Sequence, residues 1–600
     1  MTTFKTLCFT LAIALGCLFS CNLSAQGGPE NVLLVVNSQS DSSKLLANHY
    51  IELRKIPSTH VVYLDNVKYR EFTDEENFRE TVLQPAIDEI TNRNLGTCID
   101  YIVYSSDIPT AINIIGSQKR LFAQAEQQGQ TIPEGSKRIF GSVASCTSLT
   151  YFAKQVLADD PTFMTPTANF YMRTRTGPGQ YLPTRSFHAS DRWTPQGELT
   201  DDPRRGRGFY ISTILSVTRN WGLNEQDAVA ALENSVSADG KPPEGTVFFT
   251  ENPGPRTSPR KPFFAETIVE LNKLGIKTRT IREKVPQNAV VAGLVAGFAE
   301  ADLVKSGSEY SKGVICDNLT SVGGKFIAKN QLKCTEFLKF GAAGSNGCVA
   351  EPFNIPQKFP HPMIQVHYAR GSTLGEAYYQ SIHCPYQNLI VGDPLCRPFG
   401  TPPEFSVSGI QPDQPVSGDI QLQLAYTGEV PVGKIHVYVD GVRIKELFKV
   451  ETIDLDSREL SDGFHELRVV AIADGPIEFN TRKIIPIVVN NNANSVTIST
   501  TSGQSVFEST DNISIEVQAN SGSVTLLNSG RVLASSKNKK HTFKISASEL
   551  GRGPVQLQAV TRLGSGNVFS APLKLQINGE SSRVVPQPDI MRPRKPKNKK

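Results

Sequence analysis

The segment Pro29-Glu30-Asn31-Val32-Leu33-Leu34-Val35-Val36-Asn37-Ser38 decides the class of fold that we expect for this chain. Its centre, residues 32–36, is a continuous apolar run, which is typical of a strand buried on both faces of a parallel sheet. Polar residues at 37–41 can form a turn and cap a helix, and residues 45–53 place Leu and Tyr side chains on one helical face. Strand, turn and amphipathic helix in this order predict a βα unit.

The βα pattern recurs along the chain and predicts an α/β domain over residues 29–400. Further strands are predicted at 60–64, 99–104, 210–217, 246–250, 312–316 and 389–391, an apolar segment lies at 290–298, and helices are predicted at 73–95, 224–236, 261–274, 331–340 and 373–382. Repeated βα units give a mostly parallel sheet with helices on both faces. Residues 110–207, rich in Gly, Pro, Thr and Arg, lack this periodicity, so we expect them to form a long excursion.

The sequence changes character after residue 400. Residues 401–489 consist of short alternating segments, and Asp440-Gly441 between two of them is the signature of a type I′ hairpin. We expect an immunoglobulin-like β-sandwich there, and a second β-sandwich over residues 495–578, which repeat the same pattern. Residues 581–600 are basic and rich in Pro, which predicts a disordered tail.

Composition and charge favour a globular protein with several domains. Of the 600 residues, 39% are hydrophobic and 20% are charged, which suits a chain with more than one packed core. The net charge is +4, but residues 581–600 alone hold seven Lys or Arg and one Asp, so the rest is slightly acidic. This balance argues against a nucleic-acid partner, while the basic tail is a candidate contact for anionic polymer or lipid head groups.

The N-terminus predicts export. Lys5, an apolar run at 7–19 and small residues up to Ala25 are typical of a signal peptide over residues 1–25. The alternative is a lipoprotein signal in which Cys21 carries the lipid. The run is too short to span a membrane, and no later run is long enough, so we expect an exported protein in the periplasm, at the cell surface or secreted.

The cysteines leave the disulfide pattern open. Seven follow Ala25, and an odd number requires at least one thiol outside an intramolecular pair; they are residues 98, 146, 316, 334, 348, 384 and 396. No pair has the CxxC spacing of a zinc or thioredoxin site. The acidic residues 454, 456, 462 and 466 fit hairpin turns better than a calcium site, so neither a metal nor a cofactor is predicted.

Four motifs make the α/β part similar to an uncharacterised family of exported bacterial proteins that occur with exosortase-type sorting systems. They are PENVLLVVNS at 29–38, DNLTSVGG at 317–324, GAAGSNG at 341–347 followed by Glu351-Pro352, and VGDPLCRPF at 391–399. The end of this part also resembles gingipain-type cysteine peptidases, which implies a caspase-like core. Such peptidases place a His-Gly after one strand and a Cys after the next. This chain has no His-Gly, so the resemblance implies the fold without the chemistry.

Cys316 is the candidate nucleophile. It is predicted at the end of a strand, before a Gly-rich turn, where a caspase-like nucleophile stands, and His361, His367 and His383 are its prospective bases. The alternative is a small buried residue that closes a strand. The sequence around Ser345 resembles a nucleophile elbow but lacks its strand-to-helix context, so a Gly-rich turn lining a pocket is expected there.

Polar residues at the predicted strand ends are the candidate ligand pocket, because ligands of open α/β sheets bind outside the carboxyl ends of the strands. They are Asn37, Ser38, Ser105, Asp107, Asp317, Asn318, Ser321, Ser345, Asn346 and Glu351. The alternative is that these residue types only form turns. The favoured hypothesis is an envelope-associated binding scaffold whose partner is an envelope component or a polypeptide; the other is a secreted cysteine-peptidase-like hydrolase.

Overall fold

The computed structural model describes residues 27–67, 71–129, 140–144, 158, 169–173, 175–177, 180–181, 183–194, 196–200, 202, 204–206, 208–384, 386–411, 414–564 and 566–581. The predicted signal peptide, Cys146, most of residues 130–168 and the tail from residue 582 lie outside these residues. In the part of the chain described, no helix is long and apolar enough to cross a membrane.

Up to residue 400 strands and helices alternate. The strands are β1 Val32–Asn37, β2 Val61–Leu64, β3 Phe72–Asp74, β4 Tyr101–Tyr104, β5 Ala111–Asn113, β6 Phe140–Ser142, β7 Arg175–Gly177, β8 Gln180–Tyr181, β9 Ile211–Ile214, β10 Thr246–Thr250, β11 Thr278–Ile281, β12 Val290–Ala296, β13 Glu309–Tyr310, β14 Cys316–Asn318, β15 Gly344–Cys348 and β16 Asn388–Gly392. The helices are α1 Asp41–Arg54, α2 Glu75–Phe78, α3 Gln84–Asn92, α4 Ile115–Gln127, α5 Glu225–Ala238, α6 Phe264–Lys273, α7 Glu336–Lys339, α8 Ile364–Ala369 and α9 Leu374–Tyr379.

These strands form two main sheets where the sequence predicted one. The first is six-stranded with the order β15-β16-β9-β4-β1-β2; β1, β2, β4 and β9 pair in parallel, and β15 runs antiparallel to β16. The second is all parallel, with the order β11-β10-β12-β13 and β14 beside β12. A single bridge between Ile315 and Gly344 joins them. Every residue of β1 is buried, which confirms that both faces of this strand are covered.

Several elements differ from the sequence prediction. The described residues of the excursion at 110–207 contain β5, α4, β6, β7 and β8. Helix α4 was missed because its sequence holds good helix formers but few apolar residues. The strand predicted at 312–316 is displaced to 316–318, since Gly313 adopts a left-handed φ of 81° that interrupts extended backbone. The helix predicted at 331–340 is reduced to α7.

The Gly-rich turn predicted around Ser345 is instead strand β15, and all of its residues are buried. Its glycines allow close packing: a Cβ on Gly344 would lie 2.5 Å from the side chain of Leu374, and one on Gly347 would lie 2.5 Å from the backbone nitrogen of Gly324. Glycine in a strand often marks such a close approach. The expectation of a turn that lines a pocket was therefore wrong.

Between residues 401 and 581, the regular structure of the described residues is almost entirely β. The strands are β17 Phe405–Ser408, β18 Asp419–Tyr426, β19 Val432–Val439, β20 Val442–Phe448, β21 Thr452–Asp456, β22 Gly463–Ala473, β23 Asn480–Val489, β24 Val496–Thr500, β25 Val506–Glu508, β26 Asn512–Ala519, β27 Val524–Asn528, β28 Arg531–Ser536, β29 Lys540–Ser546, β30 Gly553–Leu563, β31 Gly566–Phe569 and β32 Leu573–Asn578, with α10 at Ala547–Leu550. The turn between β19 and β20 has positive φ at both Asp440 and Gly441, as a type I′ hairpin requires.

Two buried apolar clusters lie among these strands. One covers residues 405–489 and the other covers residues 496–577. Each combines side chains from a three-stranded sheet, β17-β18-β21 or β24-β26-β29, with side chains from a ten-stranded sheet that passes through both regions. A core between two sheets is the packing of a β-sandwich. The two sandwiches share their larger sheet through the pair Gly463 and Phe569.

Both sandwiches contact the α/β part directly. In the first sandwich, the backbone oxygen of Asp440 accepts a hydrogen bond from Thr59 at 2.7 Å. In the second, Arg552 pairs with Glu225 of α5 at 2.6 Å, and Asn48 of α1 donates to the backbone oxygen of Leu550 at 3.1 Å. The second sandwich therefore lies against the helices that follow β1 and β9.

Candidate ligand-binding crevice

A crevice of about 1010 Å³ opens near the carboxyl ends of β1 and β2. The chain leaves β1 to form β2 on one side and later places β4 on the other, so a topological switch point lies between β1 and β4, where α/β proteins bind ligands. The described residues that line the crevice are Asn37, Gln39, Ser40, Asp65, Asn66, Val67, Phe72, Thr73, Asp74, Asn77, Asn113, Phe140 and Arg219.

Asn37, the last residue of β1, organises the floor of the crevice. Its Nδ2 donates to the backbone oxygens of Asp107 at 2.8 Å and Val67 at 3.2 Å, and its Oδ1 accepts from the N–H of Gln39 at 3.0 Å. The residue is only 1% exposed. Asn37 therefore holds together the segments that follow β1, β2 and β4, and it lines the crevice as predicted from the sequence.

Asp107 lies directly behind this floor and is held in an unusual conformation. Its φ of 55° is left-handed, a geometry that Asp tolerates better than most residues. The buried carboxylate accepts a hydrogen bond from the Ser40 hydroxyl and pairs with the Nε of Arg219 at 2.8 Å. Because the Arg219 side chain remains 34% exposed, Asp107 positions a guanidinium at the crevice.

Ser38 belongs to the rim. Its hydroxyl donates to Oδ1 of Asp65 at 2.6 Å, and the same carboxylate oxygen accepts from Nη2 of Arg531, in β28 of the second sandwich, at 2.9 Å. The Arg531 guanidinium also lies 5.5 Å from the centre of the Tyr63 ring. Arg531 thus contributes to the rim although it lies 466 positions from Asp65 in the sequence. No local pattern of the sequence indicates this contact.

Ser105 supports the crevice from below without reaching it. Its buried hydroxyl donates to the backbone oxygen of Ser43 at 2.6 Å. Arg219 and Asp65 were missing from the candidates chosen from the sequence, although both follow predicted strands. The rule that selected Asn37 would also have selected these two charged residues.

A second group of predicted residues lies at the ends of β12 and β14. Asp317 forms an ion pair with Arg260, and the two side chains are only 1% and 3% exposed. Burial raises the pKa of Asp317, while the Arg260 charge opposes this rise. The amide of Asn318 accepts from the N–H of Phe298 at 3.0 Å and donates to its backbone oxygen at 3.1 Å. Asn318 thus cross-links the ends of β12 and β14.

Both groups share one edge of the molecule. Phe326, beyond β14, makes two contacts to this sheet. Its N–H donates to the side chain of Glu71, which follows β2. The backbone oxygen of Phe326 accepts from the N–H of Trp221, which follows β9, at 3.2 Å. Burial raises the pKa of Glu71. The chain after β14 therefore meets the loops of the first sheet, but Asp317 and Asn318 do not line the crevice.

The remaining candidates do not form part of it either. Ser345 and Asn346 are buried inside β15, and Asn346 donates to Oδ1 of Asn388 at 2.8 Å. Glu351 is exposed and accepts from the N–H of Phe353 at 2.9 Å, while Ser321 lies partly buried in a turn. The prediction of one pocket thus separates into the crevice with Asn37, a buried group in which Asn346 of β15 faces Asp317 and opposes the rise of its pKa, and the separate positions of Glu351 and Ser321. A sequence cannot tell that β15 is a buried strand.

Cys316 is the first residue of β14, not the last of a strand, and it is completely buried. Burial and the neighbouring Asp317 raise the pKa of its thiol well above the usual value. No hydrogen bond joins it to His361, His367 or His383 within the described residues. Burial lowers the pKa of His361 to about 4 and that of His367 to about 3. This environment is that of a structural cysteine.

Cys98, Cys316, Cys334, Cys348 and Cys396 are buried and form no disulfide. Among the residues that the structure describes, no group of three or more His, Cys, Asp or Glu side chains is arranged to hold a metal ion. Asp462, one of the acidic turn residues, accepts hydrogen bonds from the N–H groups of Asn491, Asn492 and Asn494. Asp462 thus holds in place the linker between the two sandwiches, residues 490–495.

Neither a model of a known protein family nor any curated protein matches the chain. Among solved structures, it is similar to fibronectin(III)-like modules of Clostridium thermocellum CbhA, with 18% identity, a TM-score of 0.12 and coverage of 29% of this chain and 93% of that one. It is also similar to murine CEACAM1b, with 12% identity, a TM-score of 0.12 and coverage of 29% and 100%. A third is dimeric latent PorU of Porphyromonas gingivalis, with 14% identity, a TM-score of 0.13 and coverage of 30% and 20%.

Proposed function

We propose that this chain is an exported, envelope-associated protein that binds an envelope component or a polypeptide in the crevice between β1, β2 and β3, on an α/β scaffold of caspase-like type. The observation that carries this proposal is the position of the crevice. It opens at the carboxyl ends of β1 and β2, beside the switch point of the first sheet, and open α/β sheets bind ligands in such crevices. Hydrogen bonds fix Asn37 and Asp107 around it, and an ion pair with Asp107 holds Arg219.

The arrangement suits binding better than hydrolysis. A cysteine nucleophile needs an accessible thiol and a nearby base, whereas Cys316 is buried within β14. At the ends of β12 and β14 the amide of Asn318 is bound on both sides to the backbone of Phe298. The polar groups of the crevice, in contrast, include the exposed rim residues Gln39 and Asp65.

The sandwiches fit the same function as a rigid support. Arg531 contacts Asp65 at the rim, and Arg552 pairs with Glu225 at the start of α5. We infer that they hold the crevice at a fixed orientation on the envelope, and that the basic tail adds electrostatic attraction to anionic polymer or lipid head groups.

The test compares envelope binding by variants of the full chain. Asn66→Arg places a long cation in the crevice, and its matched control, Asn492→Arg, adds the same charge at the linker between the sandwiches. Cosedimentation with isolated cell envelopes is expected to fall at least tenfold for Asn66→Arg and to stay at the wild-type level for Asn492→Arg. Equal binding by all three proteins, each with an unchanged circular dichroism spectrum, would contradict a role for the crevice.

A further inference from the structure

The lining of the crevice combines two kinds of side chain. Its lining holds the side-chain amides of Gln39, Asn66, Asn77 and Asn113, and it also holds the aromatic rings of Phe72 and Phe140. The two rings are 5.1 Å apart between their centres and tilted by 44°. Both phenylalanines are only partly buried. They pack on one side against the main apolar core, and Nζ of Lys325 lies 5.9 Å from the centre of the Phe72 ring.

We propose that the crevice binds a neutral oligosaccharide. This inference rests on the proposed function and names the class of its ligand. The two faces of a sugar ring differ from its edge: the faces carry C–H groups and the edge carries hydroxyls. An aromatic face is electron-rich and attracts such C–H groups. Phe72 of β3 and Phe140 of β6 supply these faces on the wall formed by the small sheet β3-β5-β6.

The amides match the hydroxyls of the sugar edge. A hydroxyl both donates and accepts a hydrogen bond, and an Asn or Gln side chain offers two donor hydrogens and an acceptor oxygen. Asn113 uses its Oδ1 to accept from the N–H of Ile115 at 3.1 Å, and Asn77 uses its Nδ2 to donate to Thr73 at 2.6 Å. Each of these hydrogen bonds orients its amide, and among the described residues no partner occupies Nδ2 of Asn113 or Oδ1 of Asn77.

The charges of the described lining residues favour a neutral ligand. Asp65 and Asp74 both line the crevice, and among the described lining residues Arg219 is the one cation. Arg219 is paired with the carboxylate of Asp107 at 2.8 Å. Among the described lining residues the carboxylates outnumber the cation, which favours a neutral ligand over a phosphate or sulfate polymer, and a carboxylate can accept two hydrogen bonds from neighbouring sugar hydroxyls.

The size of the crevice suits several sugar units. Its volume of about 1010 Å³ is at the upper end of the roughly 300–1,000 Å³ of pockets for small molecules. The rim also includes Asp65, whose carboxylate is held by Ser38 and by Arg531 of the second sandwich. A ligand longer than one ring would therefore contact both the floor at Asn37 and this rim.

The test is calorimetric titration of the full chain with neutral hexasaccharides of glucose, xylose, mannose and N-acetylglucosamine. Inorganic polyphosphate and an extended nonapeptide pool serve as the comparison probes. The variants are Phe72→Ala, Phe140→Leu and Asn66→Ala, and the matched control is Phe448→Ala, which removes a phenylalanine that is 82% exposed on the first sandwich. We expect at least one hexasaccharide to bind, and each crevice variant to weaken it by about five- to tenfold, the size of one aromatic or hydrogen-bond contact.

The outcomes distinguish the proposal that the ligand is an oligosaccharide from the proposal that the crevice is a binding site. Oligosaccharide binding that Phe448→Ala leaves intact and the crevice variants weaken would support the inference. Binding of peptide or polyphosphate in place of oligosaccharide, sensitive to the same variants, would overturn the ligand class and keep the proposed function. Oligosaccharide binding that all variants retain would place the sugar elsewhere and overturn the inference. No binding of any probe, together with envelope binding that Asn66→Arg does not change, would overturn both.

Discussion

The buried ion pair of Arg260 and Asp317 allows a quantitative prediction about the α/β part. The two side chains are 3% and 1% exposed, and the Arg260 guanidinium also donates to the backbone oxygen of Ala296. Arg260→Met keeps an unbranched side chain but leaves the Asp317 carboxylate buried without its counter-charge. Removing one partner of such a pair costs about 3–5 kcal/mol, so we expect the free energy of unfolding of the α/β part to fall by about that amount.

The pH dependence of this loss has a definite sign. Burial already raises the pKa of Asp317, and Arg260 opposes the rise, so the pKa is expected to rise further in Arg260→Met. A carboxyl whose pKa is higher in the folded than in the unfolded state binds extra protons when folded, and stability is therefore lost as pH rises between the two values. The deficit of Arg260→Met should be larger at pH 8 than at pH 5. Adding Asp317→Asn should remove this difference.

Tryptophan fluorescence can follow the α/β part alone during urea unfolding. The chain has two tryptophans, Trp193 and Trp221, and both precede the sandwiches. Arg458→Met is the matched control, because it removes an arginine whose pairs with Asp419 and Asp456 are exposed at the surface; its unfolding midpoint should equal that of the wild type. A loss below about 1 kcal/mol for Arg260→Met, or a loss that is the same at pH 5 and pH 8, would refute the reasoning.

Burial raises the pKa of Glu478 to about 7, whereas the pKa of an unfolded Glu is about 4.3. Between these two pH values the folded state binds more protons than the unfolded state, so the protein loses stability as the pH rises from about 4.3 to 7. The melting temperature should fall less between pH 5 and pH 7.5 for Glu478→Gln than for the wild type. An equal fall for the two proteins would contradict this prediction. Cys316→Ala should leave the cleavage of a broad peptide library unchanged, because the thiol is buried; cleavage by the wild type that disappears in this variant would establish the peptidase alternative. Arg552→Ala should speed hydrogen exchange in residues 547–552 through a loss of about 1–3 kcal/mol, since its partner Glu225 is 5% exposed, whereas Arg204→Ala, at an 88% exposed side chain, should not.

The sequence predicted the parts of the fold that depend on local pattern. The apolar run of β1 and the stripes of α5 and α6 lie where periodicity placed them, because burial on one or two faces imposes that periodicity. The helix predicted at 73–95 is present as α2 and α3 with a π-helical turn at Arg79–Leu83 between them, just before Pro85. A strand such as β15, made of small residues packed against neighbours, carries no such pattern, and neither does α4.

The candidate residues show the same limit. Asn37 was found because it ends an apolar strand, and it does line the crevice. Arg531 could not be found, because its contact with Asp65 depends on how the second sandwich packs on the α/β part. Asn346 was chosen for a turn that does not exist. A polar residue at the end of a predicted strand can therefore be assigned to one edge of the sheet from the sequence. Which residues at that edge contact one another depends on how distant segments pack, and the sequence does not show this.

The two strand-end locations of this edge differ in how completely their polar groups are used. At the ends of β12 and β14, the side-chain amide of Asn318 is hydrogen-bonded to the backbone of Phe298. Asp317 forms an ion pair with Arg260, and both side chains are buried. At β1, the equivalent interactions of Asn37 and Asp107 are buried too, but they support Arg219, which remains partly exposed. A ligand can only reach groups that the protein keeps accessible, and preorganised groups lose little entropy on binding. The loops after β1, β2 and β9 meet both conditions, which is why the crevice, and not the ends of β12 and β14, is the place to look for a binding site of this protein.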